Sequence, residues 1–130
     1  MNSGINILIV EDEYNVALAL KTIISNALKS VSITIVTNGD NALDEIFKSS
    51  FHLIVSDWNM PEMNGMDLLT TLRNSETTKK IPFLMITGRE DMPSVMSALE
   101  SGVTGYLTKP FENKAVIDRV KQMLGIEFKG

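Results

Sequence analysis

Acidic residues follow two of the most apolar runs in the sequence. The run Ile5–Val10 leads directly into Glu11 and Asp12. A second run, Leu53–Ser56, leads into Asp57. A carboxylate at the end of a buried strand is costly unless something at that position uses its charge. The placement of these acids therefore indicates a functional site, with Asp57 as its first candidate.

A hydroxyl and a cation follow two further apolar runs. Thr87 comes directly after Phe83–Ile86, and Lys109 comes after Gly105–Thr108. If these residues face the acids, the site would combine carboxylate oxygens with a hydroxyl donor and an ammonium group. Those are the parts of a phosphoryl-transfer site, in which an oxygen nucleophile works beside a cationic clamp.

The three acids predict that a metal ion also belongs to this site. Glu11, Asp12 and Asp57 would converge if the first and third strands were neighbours, and they would repel one another unless a cation lay among them. Hard oxygen ligands without His or Cys suit Mg²⁺, or Mn²⁺ in its place, rather than zinc. We therefore expect a magnesium site.

The apolar runs predict five β-strands. Three of them contain the stretches ILIV, HLIV and FLMI, which are continuously apolar rather than alternating. That pattern is typical of strands covered on both faces, as in a parallel sheet. The predicted strands are Ile5–Val10, Ser32–Val36, Leu53–Ser56, Phe83–Ile86 and Gly105–Thr108.

Amphipathic segments separate these strands. Apolar residues at three- and four-residue steps between Val16 and Ala27 predict the first helix. Asn38 and Asn64 are suitable N-caps for the next two. The later helices are predicted at Asp40–Phe47, at Gly65–Asn74, from Asp91 onwards, and at Asn113–Leu124.

Strict alternation of strands and helices predicts a doubly wound α/β fold, with helices on both faces of a parallel sheet and right-handed crossovers. Ligands in such folds lie beyond the carboxyl ends of the strands. All the candidate residues fall at that edge. A chain of 130 residues is long enough for one such domain and short for two, so we expect residues 1–130 to form a single domain.

The amino-acid composition disfavours or excludes several classes of function. The net charge is −4 and no cluster of Lys and Arg is visible in the sequence, which disfavours direct binding to nucleic acid or to an anionic membrane. There are no cysteines, so disulfides and thiolate metal sites are excluded. No apolar run approaches the ~20 residues of a membrane span, and the N-terminus lacks a signal-peptide pattern. The expected compartment is the cytoplasm.

The sequence resembles the receiver domains of two-component response regulators, and among them the single-domain chemotaxis type most closely in form. The stretches that carry the resemblance are ILIVEDE, SDWNMPEMNG, MITG and GYLTKPF. They occur in order, each at the end of a predicted strand, and the likeness covers nearly the whole chain. It implies a five-stranded sheet in the flavodoxin-like order 2-1-3-4-5.

The resemblance also implies a role for each site residue. Asp57 would be the phospho-acceptor, and Thr87 and Lys109 would hold phosphoryl oxygens. Tyr106 would be an aromatic switch that reorients as Thr87 moves. Metal ligation is implied for Asp12 directly, for Glu11 through water, and for the backbone carbonyl of Asn59. One departure is that the acidic pair is Glu-Asp, where the chemotaxis type has two aspartates.

Such a chain would act as a signalling switch that catalyses only its own phosphorylation and dephosphorylation. A histidine kinase or phosphotransfer protein would act upstream. A protein target would bind the face made by the helix predicted from Asp91, the fifth strand and the C-terminal helix, with Val95, Met96, Leu99 and Tyr106 as candidate contacts. The chain could equally be a receiver excised from a longer regulator or hybrid kinase.

Two other function classes compete with this interpretation. A nucleotide or flavin binder of the same fold class needs glycines, hydroxyls and a helix N-terminus after the first strand, whereas this chain has acids there. A phosphatase with an aspartyl nucleophile needs a general acid beside it, whereas Trp58 and Asn59 follow Asp57.

Two finer expectations concern one peptide bond and the lifetime of the acyl phosphate. The Lys109–Pro110 bond is expected to be cis, because Lys109 must turn back into the site directly after a strand and only X–Pro bonds reach cis cheaply. Asn59 and Arg89 lie two residues after Asp57 and Thr87, where they could orient or exclude the water that hydrolyses an acyl phosphate. We expect Arg89 to slow that reaction.

Overall fold

Five strands pair in parallel in the order β2-β1-β3-β4-β5, as the resemblance implied. The computed structural model describes residues 4–58, 60, 63–88 and 105–125. In this part of the chain the strands are β1 (Ile5–Val10), β2 (Val31–Val36), β3 (Leu53–Asp57), β4 (Phe83–Thr87) and β5 (Gly105–Thr108). The helices are α1 (Tyr14–Ala27), α2 (Gly39–Lys48), α3 (Gly65–Arg73) and α4 (Asn113–Leu124). None of the described helices has the length and apolar character needed to cross a membrane.

Each central strand supplies two separate cores, because successive side chains point to opposite faces of the sheet. Ile7 and Ile9 of β1 pack with Leu20 of α1 and Val116 of α4 on one face. Leu8 and Val10 belong to the other core, which is completed by apolar side chains of α2 and α3 such as Ala42, Ile46, Leu68 and Leu72. The continuously apolar strands therefore have the two covered faces that their composition predicted.

The helix starts agree with the predicted caps. The Asn38 side chain accepts a hydrogen bond from the Asn41 N–H at 2.8 Å, and the Asn64 side chain accepts one from the Asp67 N–H at 2.9 Å. Each bond satisfies a backbone donor that the first turn of a helix leaves unpaired. These caps set where α2 and α3 begin after the loops at the carboxyl edge.

Two of the strands that carry the site, β3 and β4, are longer by one residue than the sequence predicted. β3 ends at Asp57 and β4 ends at Thr87, because the ladder continues through the pairs Asp57 with Ile86 and Thr87 with Thr108. Asp57 and Thr87 are therefore the last residues of strands rather than the first residues of loops. Their backbones are held in the sheet.

Several predicted features lie outside the described residues. They are the helix expected from Asp91, its candidate contacts Val95, Met96 and Leu99, and the two positions Asn59 and Arg89. The Lys109–Pro110 bond does lie within them, and it is cis as predicted.

Candidate metal and phosphoryl site

The carboxyl ends of neighbouring strands form the site. β1 lies beside β3, with Val10 paired to Ser56, so Glu11 and Asp57 occupy equivalent positions at the edge. On the other side of β3, Thr87 of β4 pairs with Thr108 of β5, and Lys109 follows at once. The parallel register thus brings four separate chain segments to one edge.

Three carboxylates converge at this edge. One oxygen from each of Glu11, Asp12 and Asp57 lies within 4.8 Å of the others. Glu11 is 1% exposed and Asp57 is 6% exposed, whereas Asp12 is open to solvent. A ligand reaching this cluster would therefore be held by two buried acids from below and one exposed acid from the solvent side.

The Glu11 carboxylate has an unsatisfied oxygen. Oε2 accepts a hydrogen bond from the Glu13 N–H at 3.1 Å, but Oε1 is buried and accepts no hydrogen bond within the described residues. Its charge partner is the Lys109 ammonium, with Nζ at 3.4 Å. A buried carboxylate oxygen left in this state is destabilising, and a hard cation in the cluster would satisfy it. The donor set therefore fits Mg²⁺.

Burial shifts the ionisation of Glu11. Desolvation, which is the largest cause, and the charge of Asp57 both raise the pKa of Glu11, and the net result is a rise from its ordinary 4.5 to about 7. The Glu13 N–H and the charge of Lys109 act in the opposite direction. At neutral pH the metal-free site therefore keeps a proton on Glu11 for part of the time, which reduces the repulsion among the acids.

Lys109 bridges the two buried acids. Its Nζ lies 3.3 Å from Asp57 Oδ1 and 3.4 Å from Glu11 Oε1, and its side chain is 28% exposed. Burial alone would lower the pKa of the Lys109 ammonium, but the charges of Asp57 and Glu11 outweigh it and raise the pKa. The ammonium group is therefore a fixed positive charge beside the candidate acceptor.

The Thr87 hydroxyl is buried at the same edge and points to a neighbouring carbonyl. Its side chain is 0% exposed, and Oγ1 donates to the Gly88 carbonyl oxygen at 3.2 Å. The Lys109 N–H donates to the Thr87 carbonyl oxygen at 2.7 Å. A main-chain hydrogen bond thus connects the residues that supply the hydroxyl and the ammonium group.

Two residues that the sequence analysis did not single out support the backbone of Asp57. The Ser56 hydroxyl is buried and donates to the Asp57 carbonyl oxygen at 3.0 Å. A Cβ added at Gly65 would lie 2.7 Å from the same oxygen and 2.8 Å from Met85 Sδ. Only a glycine allows the start of α3 to approach Asp57 so closely. The N-cap asparagine directly before Gly65 was the available sequence signal, since it placed this residue at the first position of a helix.

The two aromatic residues near the site are half-buried. Trp58 follows Asp57, and Tyr106 lies on β5 opposite Met85 of β4. Both pack against the core formed with α2 and α3. Tyr106 is thus in the sheet, on the strand next to the one that carries Thr87, and is partly exposed to solvent.

The structure brings together most of the predicted site residues. Glu11, Asp57 and Lys109 are in direct contact, Asp12 completes the acidic cluster, and Thr87 shares the edge. The Trp58 N–H donates to the Ile86 carbonyl at 2.8 Å and so anchors the start of the loop that follows Asp57. A doubly wound sheet of this strand order, with acids, a hydroxyl and a lysine at its carboxyl edge, defines the receiver class of signalling domains.

Comparison with known sequences gives the family. A sequence model described as "Response regulator receiver domain" matches residues 7–121. The chain belongs to this family, the receiver domains of two-component signalling. It is 36% identical over 114 residues to chemotaxis protein CheY-3 of Vibrio cholerae, an alignment that covers 85% of each chain. It is 33% identical over 120 residues to chemotaxis protein CheY of Pseudomonas aeruginosa, covering 90% of this chain and 94% of the relative.

Solved structures agree with this assignment. A putative response regulator from Chloroflexus aurantiacus superposes with a TM-score of 0.88 at 30% identity, covering 95% of this chain and 99% of that one. The chemotaxis response regulator CheY4 of Vibrio cholerae superposes with a TM-score of 0.84 at 25% identity, covering 93% and 99%. A receiver domain of a sensor histidine kinase from Pseudomonas aeruginosa, with magnesium coordinated in its active-site cleft, shares the fold with a TM-score of 0.84 at 21% identity.

Proposed function

We propose that this chain is a CheY-like phosphorylation switch, in which Asp57 accepts a phosphoryl group in a Mg²⁺-dependent reaction. One observation carries the proposal: the buried acids Glu11 and Asp57 share one ammonium group, and a Glu11 oxygen remains unsatisfied in the cluster with Asp12. A cluster of buried acids with an unsatisfied oxygen destabilises the fold, so we interpret it as a site for a cation and a phosphoryl group. The magnesium in the cleft of the histidine-kinase receiver domain supports the choice of metal.

In the proposed transfer a carboxylate oxygen of Asp57 is the nucleophile. The new O–P bond forms as the bond from phosphorus to the donor's leaving group breaks, and the leaving group departs with that electron pair. Asp12, Asp57 and the Asn59 carbonyl would hold Mg²⁺ directly and Glu11 would hold it through water. The ion would supply the charge that cancels repulsion between carboxylate and phosphoryl oxygens. The Lys109 ammonium would move from the acids to a phosphoryl oxygen, acting as a point charge.

The switch itself would begin at Thr87. The hydroxyl would leave the Gly88 carbonyl and donate to a phosphoryl oxygen of modified Asp57. Movement of a buried side chain leaves space that a neighbouring aromatic ring can fill, and half-buried Tyr106 on the adjacent strand is placed to do so. The local charge change would in this way alter the surface around β5.

That surface would bind the target. We propose an output face made of β5, α4 and the helix predicted from Asp91, with a histidine kinase or phosphotransfer protein as the phosphodonor. Residues 1–130 would act as one receiver domain. Within it, Asn59 and Arg89 would set how quickly water reaches the acyl phosphate, Asn59 by holding a water and Arg89 by obstructing its approach.

Stoichiometric labelling tests the proposal. Acetyl phosphate or phosphoramidate with Mg²⁺ should add one phosphoryl group to the wild type and none to Asp57→Asn, measured by intact-protein mass spectrometry. Asp67→Asn is the matched control, because Asp67 is an exposed acid near the same edge in the first turn of α3. It should label as the wild type does.

Two outcomes would contradict the proposal. Equal labelling of Asp57→Asn would place the acceptor elsewhere. Repeated turnover of an exogenous phosphate ester, beyond one equivalent, would instead favour a phosphatase that uses the same carboxylate.

A further inference from the structure

β2 is one edge of the sheet and lacks the features that usually protect an edge strand. Among the described strands it pairs with β1 only, over all of Val31–Val36 and without a bulge in the register. Its sequence VSITIV contains no charge, proline or glycine. Proteins commonly protect an edge by making it short, charged, bulged or interrupted by proline, because an unprotected edge can pair with another strand. The opposite edge, β5, differs in having only 4 residues, with Lys109 directly after them.

Every second residue of β2 directs its backbone groups away from β1. At one end of the strand the Ile5 N–H donates to the Ser30 carbonyl oxygen at 2.9 Å. At the other end the Glu11 N–H donates to the Val36 carbonyl oxygen at 3.0 Å. Backbone groups of successive strand residues point to opposite sides, so even-numbered residues face β1 and odd-numbered residues face outward. Within the described part of the chain no strand pairs with the outward N–H and C=O groups, which belong to Val31, Ile33 and Ile35.

The apolar side chains of β2 are incompletely covered. Val31, Ile33 and Ile35 pack against the core formed with α1 and α4 but stay partly exposed. Ile7 and Ile9 of the neighbouring strand belong to the same core and are 0% exposed. A strand added to the free edge would remove further apolar area from water, which is favourable.

α1 places two more apolar side chains beside this edge. The side of α1 that carries Ile23 faces α4, where Ile23 and Ile117 line one cleft. Tyr14 and Leu18 lie on the other side of the helix, because each successive residue turns by about 100°. They are 63% and 41% exposed, and α1 also packs against β2, so they flank the β2 edge. Lys21 shares that side, and its long stem can keep the ammonium group in water.

The edge is complementary to itself. From Val31 to Ile35 branched aliphatic residues alternate with hydroxyl residues, and this pattern is the same in both directions about Ile33. In an antiparallel pair centred on Ile33, Val31 would lie opposite Ile35 of a second copy. Ser32 would lie opposite its Thr34, so like side chains would meet. The outward backbone groups would form the closely hydrogen-bonded pairs of an antiparallel ladder.

The two ends of β2 carry opposite charges. Lys29 precedes the strand, and Asp40 follows it in the first turn of α2. Both are exposed, and neither forms an ion pair with another described residue. Antiparallel pairing would bring the Lys29 end of each copy to the Asp40 end of the other. The charges therefore favour a second copy in this direction.

We propose that the β2 edge is a homodimer interface, in which two copies pair antiparallel about a two-fold axis at Ile33. The two five-stranded sheets would become one continuous sheet, and the two-fold axis would close the assembly at two copies. The seam is narrow, so the dimer is weak and depends on concentration. The inference does not rest on the proposed function, because β2 supplies none of the acids, the hydroxyl or the lysine of the site.

Sedimentation velocity of the full chain tests the interface. We expect a monomer–dimer equilibrium at concentrations up to about 1 mM. Ser32→Lys should weaken dimerisation about tenfold or more, because Ser32 is exposed and the two-fold axis places the new charge in the seam twice. Leu18→Ser should also weaken it, by removing apolar area beside the seam. Thr70→Lys is the matched control, since it adds the same charge at an exposed position of α3, and it should dimerise as the wild type does.

A single cysteine tests the register, because the chain has none of its own. Ile33→Cys should form a disulfide between two copies under mild oxidation, since directly opposite Cα atoms in a hydrogen-bonded pair lie about 5.5 Å apart. Thr34→Cys should crosslink more slowly, because residue 34 would lie opposite Ser32 of the second copy rather than opposite itself. Thr70→Cys measures crosslinking by random collision.

Several outcomes would overturn the inference. They are a wild type that stays monomeric at about 1 mM, dimerisation of Ser32→Lys or Leu18→Ser as strong as that of the wild type, and crosslinking of Thr34→Cys or Thr70→Cys as fast as that of Ile33→Cys. Growth beyond the dimer would replace the closed two-fold interface by an open one. A monomeric chain that binds a synthetic peptide of residues 30–37 would assign the edge to an extended segment of another protein instead.

Discussion

The substitution Glu11→Gln tests the electrostatics of the acidic cluster in the absence of metal. In the folded protein Glu11 holds its proton up to about pH 7, whereas the unfolded chain loses it near 4.5. Between these values the folded state binds more protons than the unfolded state, so stability falls as the pH rises. The contribution of protonated Glu11 to the free energy of unfolding is fully present below about pH 4.5. It is lost as the pH rises through about 7.

The size of the effect follows from the shift. A change from 4.5 to about 7, at 1.36 kcal/mol for each pH unit, corresponds to roughly 3 kcal/mol of unfolding free energy. Glu11 is 1% exposed, so screening by solvent reduces this little. Glutamine keeps the shape and an acceptor for the Glu13 N–H but cannot ionise. Relative to Glu11→Gln, the metal-free wild type should therefore lose roughly 3 kcal/mol between about pH 4.5 and pH 8.

Urea unfolding followed by Trp58 fluorescence measures this difference, with EDTA present and the pH varied in steps. Glu13→Gln is the matched control, because it neutralises an exposed acid on the same loop and should follow the wild type. At high pH, saturating Mg²⁺ should raise the free energy of unfolding of the wild type. The increase should be smaller in Glu11→Gln. A difference between wild type and Glu11→Gln that stays constant across the pH range would refute the reasoning.

Four further predictions concern the metal, the support of the acceptor, the switch and the lifetime. Mg²⁺ at a hundredfold excess over its dissociation constant should stabilise the fold by about 2.7 kcal/mol, and an unchanged thermal midpoint in saturating metal would contradict the site. Gly65→Ala should cost about 1–3 kcal/mol and slow labelling of Asp57, because the new methyl group meets the Asp57 carbonyl oxygen; wild-type stability and labelling would show that α3 can move away. Tyr106→Ala should weaken the difference in target affinity between the two phosphorylation states, and a full difference in that variant would exclude Tyr106 as the switch. Arg89→Ala and Arg89→Glu should shorten the phosphorylated lifetime, followed as decay of the Trp58 signal after donor removal, whereas unchanged or longer lifetimes would leave Arg89 without this role.

The positions of the helices and strands could be predicted because the local signals agreed with one another, whereas the strand order came from the resemblance to receiver domains. Continuously apolar runs marked strands that are covered on both faces, and Asn38 and Asn64 marked the helix starts that the structure confirms. The length of β3 was less predictable. Asp57 continues the ladder through its pair with Ile86, and a backbone hydrogen-bond register is not visible in residue types.

The position of an acidic side chain could be predicted, but its pKa could not. A parallel sheet in which the first and third strands are neighbours, as the resemblance implied, was enough to place Glu11 and Asp57 side by side. The raised pKa of Glu11 depends instead on how completely its neighbours exclude water.

The resting hydrogen bond of Thr87 has a consequence for how strongly the switch can be driven. Its hydroxyl already donates to the Gly88 carbonyl, so the proposed activation exchanges one hydrogen bond for another rather than adding one. A neutral bond contributes about 1 kcal/mol and a charge-assisted bond about 1.5–3 kcal/mol, so the net bias is on the order of 1 kcal/mol. That moves a two-state equilibrium only about fivefold, which leaves both conformations populated. Target binding would then complete the transition, and by reciprocity a bound target would hold the hydroxyl on the phosphoryl oxygen.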